Sequence, residues 1–161
     1  MPNYSLDLSE FQDTEFHLIG VKTSIEDYHL AFLLNKYLET YFTRSENNLE
    51  FEIKNEKQSF SLFNFDDEHN YKEWNLISNK FIQSNINNQT NNLFSVTNYD
   101  FSTINYLIPE QKRFDYFIKI TGGDDVSLCQ KLIIKLKTIH QIDAVFEINP
   151  LELKSKDFLI F

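Results

Sequence analysis

Three side chains in one short stretch are of types that move protons. Within Leu107 to Ile120, LIPEQKRFDYFIKI, Glu110 and Asp115 offer carboxylates and Tyr116 a phenol, a set that performs general acid–base chemistry when it converges on one bond. The spacing argues against convergence. Asp115 and Tyr116 are neighbours in a stretch that reads as a strand, so their side chains leave opposite faces. Ion pairs with Lys112, Arg113 or Lys119 account for Glu110 and Asp115 without any chemistry. No catalytic residue is assigned on this basis, and an enzyme is not the favoured reading.

The remaining reactive types are scattered. His17 lies inside the apolar run EFHLIGVK with no second His, Cys or acid at ligand spacing, so it reads as a half-buried, hydrogen-bonded histidine and not as a metal ligand. Cys129 falls on the apolar face of a helical stretch and reads as an inert core thiol. Asp66, Asp67 and Glu68 could offer oxygens to a hard cation, but they lack the spaced acids, glycine and closing Glu of a calcium loop, which leaves a solvated turn. Gly122 and Gly123 stand between a strand and a helix start, a geometry that can cradle phosphate. The GxGxxG and GK[ST] patterns are absent, and Asp124 and Asp125 would repel an anion. No metal and no cofactor are expected.

The bulk of the chain bounds what these groups sit in. At 161 residues it has the length of one domain, a size that buries about 68–70% of its unfolded surface. Hydrophobic content is 42% and aromatic content 16%, far from the composition of disorder. With 24 acids against 15 bases the formal charge is -9. Nucleic-acid binding rests on cationic contacts to phosphate, so nucleic acid is not the expected partner, whereas a basic protein is. One cysteine and no secretory pattern point to the cytoplasm. No apolar run approaches the ~18–20 residues of a membrane span, and no membrane partner is expected.

Hydrophobic period places the elements. Residues 1–13 read as a loosely attached arm. From Glu15, Phe16 and Leu18 alternate with His17, Ile19 and Val21, as in a central strand covered on both sides. Thr23 or Ser24 caps a helix reaching about Tyr41, with Leu30, Leu33, Leu34, Tyr37, Leu38 and Tyr41 on its buried stripe. Ile25, Tyr28 and Phe32 fall on the other side, beside Lys36 and Glu39, and form a candidate interaction patch. Leu49 to Lys54 is a strand, Asn55 to Gln58 a hairpin loop, and Ser59 to Phe65 the returning strand. Tyr71 to Ile82 fits strand or helix, with strand favoured. The polar run 83–92 tips a long middle hairpin, and Leu93 to Val96 resumes it.

Pro109 turns the chain at a corner, with Ile108 extended before it. In the strand that follows, Phe114, Tyr116, Ile118 and Ile120 share one face; Asp115, Phe117 and Lys119 share the other. A cap at Asp124 or Asp125 starts a second helix, Asp125 to His140, burying Leu128, Cys129, Leu132, Ile133, Leu136 and Ile139. Asp143 to Ile148 is a last strand, and the apolar end LKSKDFLIF is packed or paired. The expected architecture is α+β: a ferredoxin-like sandwich, a mostly antiparallel sheet with two helices on one face and an extra β-hairpin extending it.

The nine residues IPEQKRFDY resemble the signature of the IPExxxVDY motif family of the Bacteroidetes lineage. Ile108, Pro109, Glu110, Asp115 and Tyr116 match it, and Phe114 stands where the signature has Val. TSIEDYHLAFLLN, WNLISNK and LKSKDFLIF also resemble that family, so the likeness covers nearly the whole chain. It implies a small soluble cytoplasmic protein and brings no catalytic residue or cofactor with it. The function expected from the residues is a non-enzymatic protein-binding or adaptor module; the alternative is a small-ligand-binding regulatory domain of ferredoxin-like type.

Overall fold

The computed structural model describes residues 16–85, 101–123 and 125–161. The chain runs β1 (Phe16–Lys22), α1 (Asp27–Leu38), β2 (Thr43–Arg44), β3 (Leu49–Ile53), β4 (Glu56–Phe60), β5 (Leu62–Asp67), β6 (Lys72–Ser78), β7 (Lys80–Asn85), β8 (Phe101–Tyr106), β9 (Tyr116–Thr121), α2 (Leu128–Leu136) and β10 (Ala144–Ile148). Short 3-10 turns occupy Pro109–Gln111, Pro150–Glu152 and Lys156–Leu159. Six strands form one sheet in the order β10-β1-β9-β6-β5-β2, every pairing antiparallel. The α+β class is as expected.

Both faces of this sheet are covered, which is why β1, β6 and β9 are apolar on both sides. On one face Ile19, Val21, Leu76 and Ile118 pack against Leu30 and Leu34 of α1 and Leu132 and Leu136 of α2. On the other, Leu18, Ile77 and Phe117 pack against Phe60 of β4, Ile108 and Phe114 of the motif corner, and Leu159 of the chain end. The apolar terminus is therefore packed at Phe158 and Leu159, whereas Ile160 and Phe161 are exposed. No helix among the described residues is long and apolar enough to cross a membrane.

Several expectations are corrected. The middle hairpin does not extend the sheet. β7 pairs only with β8 in a separate ladder, because β6, which precedes it, already has β5 on one side and β9 on the other. Tyr71 to Ile82 is extended, but as two strands broken at Asn79. Ser59 to Phe65 is likewise two strands, β4 and β5, parted at Ser61. The loop before β4 is not Asn55 to Gln58 but a two-residue turn, Lys54 and Asn55, at φ 54° and 61°. Positive φ at both central positions matches the right-handed twist of a hairpin.

The helices are shorter than their patterns. α1 starts after Glu26, and Thr23 is used elsewhere, its hydroxyl donating to the Gln141 carbonyl at 2.6 Å. It ends at Leu38, where Glu39 turns left-handed at φ 57°, so Tyr41 leaves the buried stripe and stands exposed; Tyr37, still within the helix, is exposed as well. α2 begins at Leu128, with Asp125 closing the preceding turn by accepting from the Ser127 N–H and hydroxyl. Phe114 does not share the Tyr116 face. It precedes β9 and packs in the opposite core beneath Gly20. The N-terminal arm 1–13, Asp124, Leu93 to Val96 and most of the 83–92 loop lie outside the described residues.

Candidate functional site

The motif corner is built around a residue the sequence does not advertise. Asn79, wholly buried, donates from Nδ2 to the carbonyls of Gln111 and Phe114 at 3.1 and 2.9 Å, and its Oδ1 accepts the Ile108 N–H at 2.8 Å. Its backbone N–H donates to the Asp115 carbonyl, and its carbonyl accepts from Leu107, each at 2.9 Å. The corner is thus tied to Asn79 through the Leu107 and Ile108 N–H groups and the Gln111, Phe114 and Asp115 carbonyls.

Glu110, Asp115 and Tyr116 do not come together as a trio. Glu110 faces the chain end, where its carboxylate accepts from the Ser155 N–H at 2.7 Å and the Ser155 hydroxyl at 3.0 Å. Burial pushes its pKa up, but these hydrogen bonds outweigh that and hold the carboxyl below its ordinary range. Asp115 lies just before β9, outside the strand alternation, so it and Tyr116 do line one cleft of about 410 Å³ at the end of the sheet, with Thr23, Ile25 and Lys80. Both are already engaged. Asp115 accepts from the Thr23 N–H at 2.9 Å and pairs with Lys80, not with Lys112, Arg113 or Lys119. The Tyr116 hydroxyl donates to the Ile25 carbonyl at 2.9 Å, and burial, then the charges of Asp27, Asp115 and Glu26, raise its pKa. A phenol that is hard to ionise and already donating is a clamp and not a base.

A second cleft, of about 590 Å³, opens at the other end of α1 between Glu39 to Tyr41 and the β5–β6 turn. Its wall carries Tyr41, Phe65 and Trp74, with Tyr41 and Phe65 edge to face at 6.1 Å and Phe65 and Trp74 tilted at 6.2 Å. Its rim carries Glu39, Asp66, Asp67 and Glu68 against the single ammonium of Lys72. Asp67 is turned inward on Asn70, whereas among the described residues Asp66 and Glu68 meet no hydrogen-bond or ion-pair partner. Trp74 is 5% exposed, and its buried Nε1–H has no acceptor. The acidic run, read from sequence as a solvated turn, is therefore half of a cleft. Sequence reasoning missed it by assigning Tyr41 to the buried stripe.

Of the candidate patch on α1, Tyr28 and Phe32 are exposed at 65% and 61%. Ile25 is half-buried against the helix-side core, so the patch is smaller than expected. Tyr28 stands beside Glu26, whose hydrogen bond and negative charge raise the phenol's pKa. Elsewhere the fold brings together His17, Cys129 and Glu147, which no sequence spacing reveals. Cys129 is buried, and burial, then Glu147, push its thiol up to about 12. In comparisons with protein-family models, curated proteins and solved structures, the chain finds no match.

Proposed function

We propose that the protein is a non-enzymatic binding module whose partner is a basic segment of another protein. One observation carries this: the exposed Tyr41 ring, the half-buried Phe65 ring and four carboxylates share a single cleft. A lysine or arginine side chain supplies what such a site is short of. Its cation is drawn to ring faces and carboxylates together. The formal charge of -9 steers a cationic partner toward the surface. Tyr28 and Phe32 add a separate exposed aromatic pair on α1. Membership of the IPExxxVDY motif family is proposed with it, on the match of Ile108, Pro109, Glu110, Asp115 and Tyr116 to its signature, of which Ile108, Glu110, Asp115 and Tyr116 each tie the chain to a different element.

Trp74 is the only tryptophan, so its fluorescence reports on the cleft directly. Titration with an oligolysine peptide is expected to give a saturable change that weakens with salt, while oligoglutamate gives none. Asp66→Asn combined with Glu68→Gln should weaken the interaction several-fold, and Phe32→Asp less. Equal responses to both peptides, or an unchanged affinity in the double variant, would overturn the proposal.

The alternative, a small-ligand regulatory domain of ferredoxin-like type, draws on topology. With β1, β6, β9 and β10 taken as a four-strand core, the order β10-β1-β9-β6 and two helices on one face support the ferredoxin-like reading. Its ligand cleft would be the one beside Lys22 and Lys80. A thermal-shift screen with nucleotides and amino acids tests it, since a ligand of the native state raises Tm; no shift at millimolar ligand removes it.

A further inference from the structure

We infer that His17, Cys129 and Glu147 form a binding site for a divalent transition-metal ion of the zinc class. Their ligand atoms, one from each side chain, lie within 4.8 Å of one another. They come from three elements. β10 pairs with β1 so that Glu147 lies opposite Ile19, and His17, two residues earlier in β1, shares the face of Ile19 and stands diagonal to Glu147. Cys129, in the first turn of α2, packs with Ile19 and Val145 of that same face. The three donors are therefore held by the sheet and the helix upon it, not by a loop.

The donor set selects the ion. A thiolate, an imidazole and a carboxylate together suit a borderline-soft cation, and three protein donors leave a fourth tetrahedral position for water. Metal–donor distances of about 2.0–2.3 Å place tetrahedral donors about 3.3–3.7 Å apart, so the site must contract by about an ångström. Burial is graded to allow this: Cys129 is buried, His17 half-buried and Glu147 exposed. The carboxylate arm can swing in, and its exposed side is the entry path. Without metal, the Cys129 thiol keeps its proton beside the Glu147 carboxylate. On binding, the ion takes the place of that proton, which leaves Sγ for solvent, and the sulfur coordinates as thiolate. The bound ion would tie α2 to β1 and β10.

Cobalt is the probe. Cys129 is the only cysteine in the chain, so a thiolate-to-cobalt charge-transfer band can arise from nowhere else. Full-length protein stripped with EDTA and titrated with Co²⁺ should show that band with one-to-one saturation, and Zn²⁺ should displace it. Cys129→Ser should abolish it. His17→Gln and Glu147→Gln should each weaken binding by at least about tenfold, the cost of losing even an outer-shell partner. Glu147 is exposed, so its variant keeps the fold, and Zn²⁺ should raise the Tm of wild type but not of Glu147→Gln. Absence of the band in folded wild type, or a band indifferent to both His17→Gln and Glu147→Gln, would overturn the inference and leave Cys129 as a plain core thiol.

Discussion

The two clefts that flank α1 are made of similar residues and differ in what those residues lack. At its N-terminal end, Asp115 is held by Lys80 and the Thr23 N–H, and the Tyr116 and Thr23 hydroxyls donate to the Ile25 and Gln141 carbonyls, so the groups at its centre are committed inside the fold while Lys22, Glu26 and Asp143 stand around them. At its C-terminal end, Asp66 and Glu68 have no partner among the described residues, and Trp74 Nε1–H is buried without one. Buried polar groups are normally paired, and an unpaired one calls for a reason. The conspicuous motif is therefore tied into the fold, and the quieter cleft is the one that leaves carboxylates unpaired among the described residues.

Breaking the closed end should cost the most. Asn79→Ala removes three side-chain hydrogen bonds from a wholly buried position and strands the Ile108 N–H and the Phe114 carbonyl, while the Gln111 carbonyl keeps the Phe114 N–H. A loss of about 3 kcal/mol or more in urea unfolding is expected; a loss under about 1 kcal/mol would show that the corner does not depend on it. Next comes Gly20→Ala. An added Cβ would meet the Phe114 ring at 2.6–2.7 Å, an overpacking worth about 1–3 kcal/mol. Phe114→Val, the residue that stands in the resembled signature, would open that space. The double variant should then lose less than the sum of the singles, and strict additivity would separate the two positions.

These two residues mark where sequence stopped being informative. The α+β class and the positions of both helices follow from period, because Leu30, Leu33, Leu34 and Cys129, Leu132, Leu136 bury a stripe in whatever fold contains them. The use of Asn79 does not follow, since a buried amide that bonds main chain 29 to 35 residues away leaves no local pattern. Nor does the turn at Lys54 and Asn55, which lacks the Asn-Gly signal of its type. The separate β7–β8 ladder depends on which sheet edges are already filled, a tertiary fact. The C-terminal cleft was hidden because the left-handed Glu39 takes Tyr41 off a stripe on which ideal geometry would have kept it.

Lys119 tests whether an unpaired buried polar group must mark a site. It is 5% exposed, lies opposite Asn75, whose buried Oδ1 is also unpartnered, and its ammonium rests 4.1 Å from the Phe161 ring and 5.3 Å from Phe16. Burial lowers its pKa against a smaller opposing pull from Glu73. With the folded pKa below the unfolded value of about 10.4, the unfolded chain binds the extra proton between the two, so stability rises with pH through that window. Lys119→Met should therefore melt higher than wild type near neutrality, and the gap should close as pH approaches about 10. Taking the difference cancels Tyr116, whose raised pKa works in the opposite sense in more alkaline solution. A Met variant that melts lower would mean that the ring contacts outweigh desolvation.

The smallest stability effects separate the clefts most cleanly, because each contains one tyrosine. Tyr116→Phe deletes a single hydrogen bond, to the Ile25 carbonyl, and should cost about 1 kcal/mol while leaving oligolysine binding unchanged. Tyr41 is 76% exposed and touches the fold chiefly through the edge of Phe65. Tyr41→Ala should therefore change stability by no more than about 0.5–1 kcal/mol, yet weaken oligolysine binding several-fold, because the ring is spent on the ligand and not on the core. Loss of binding in Tyr116→Phe, or its retention in Tyr41→Ala, would exchange the roles given to the two ends of α1.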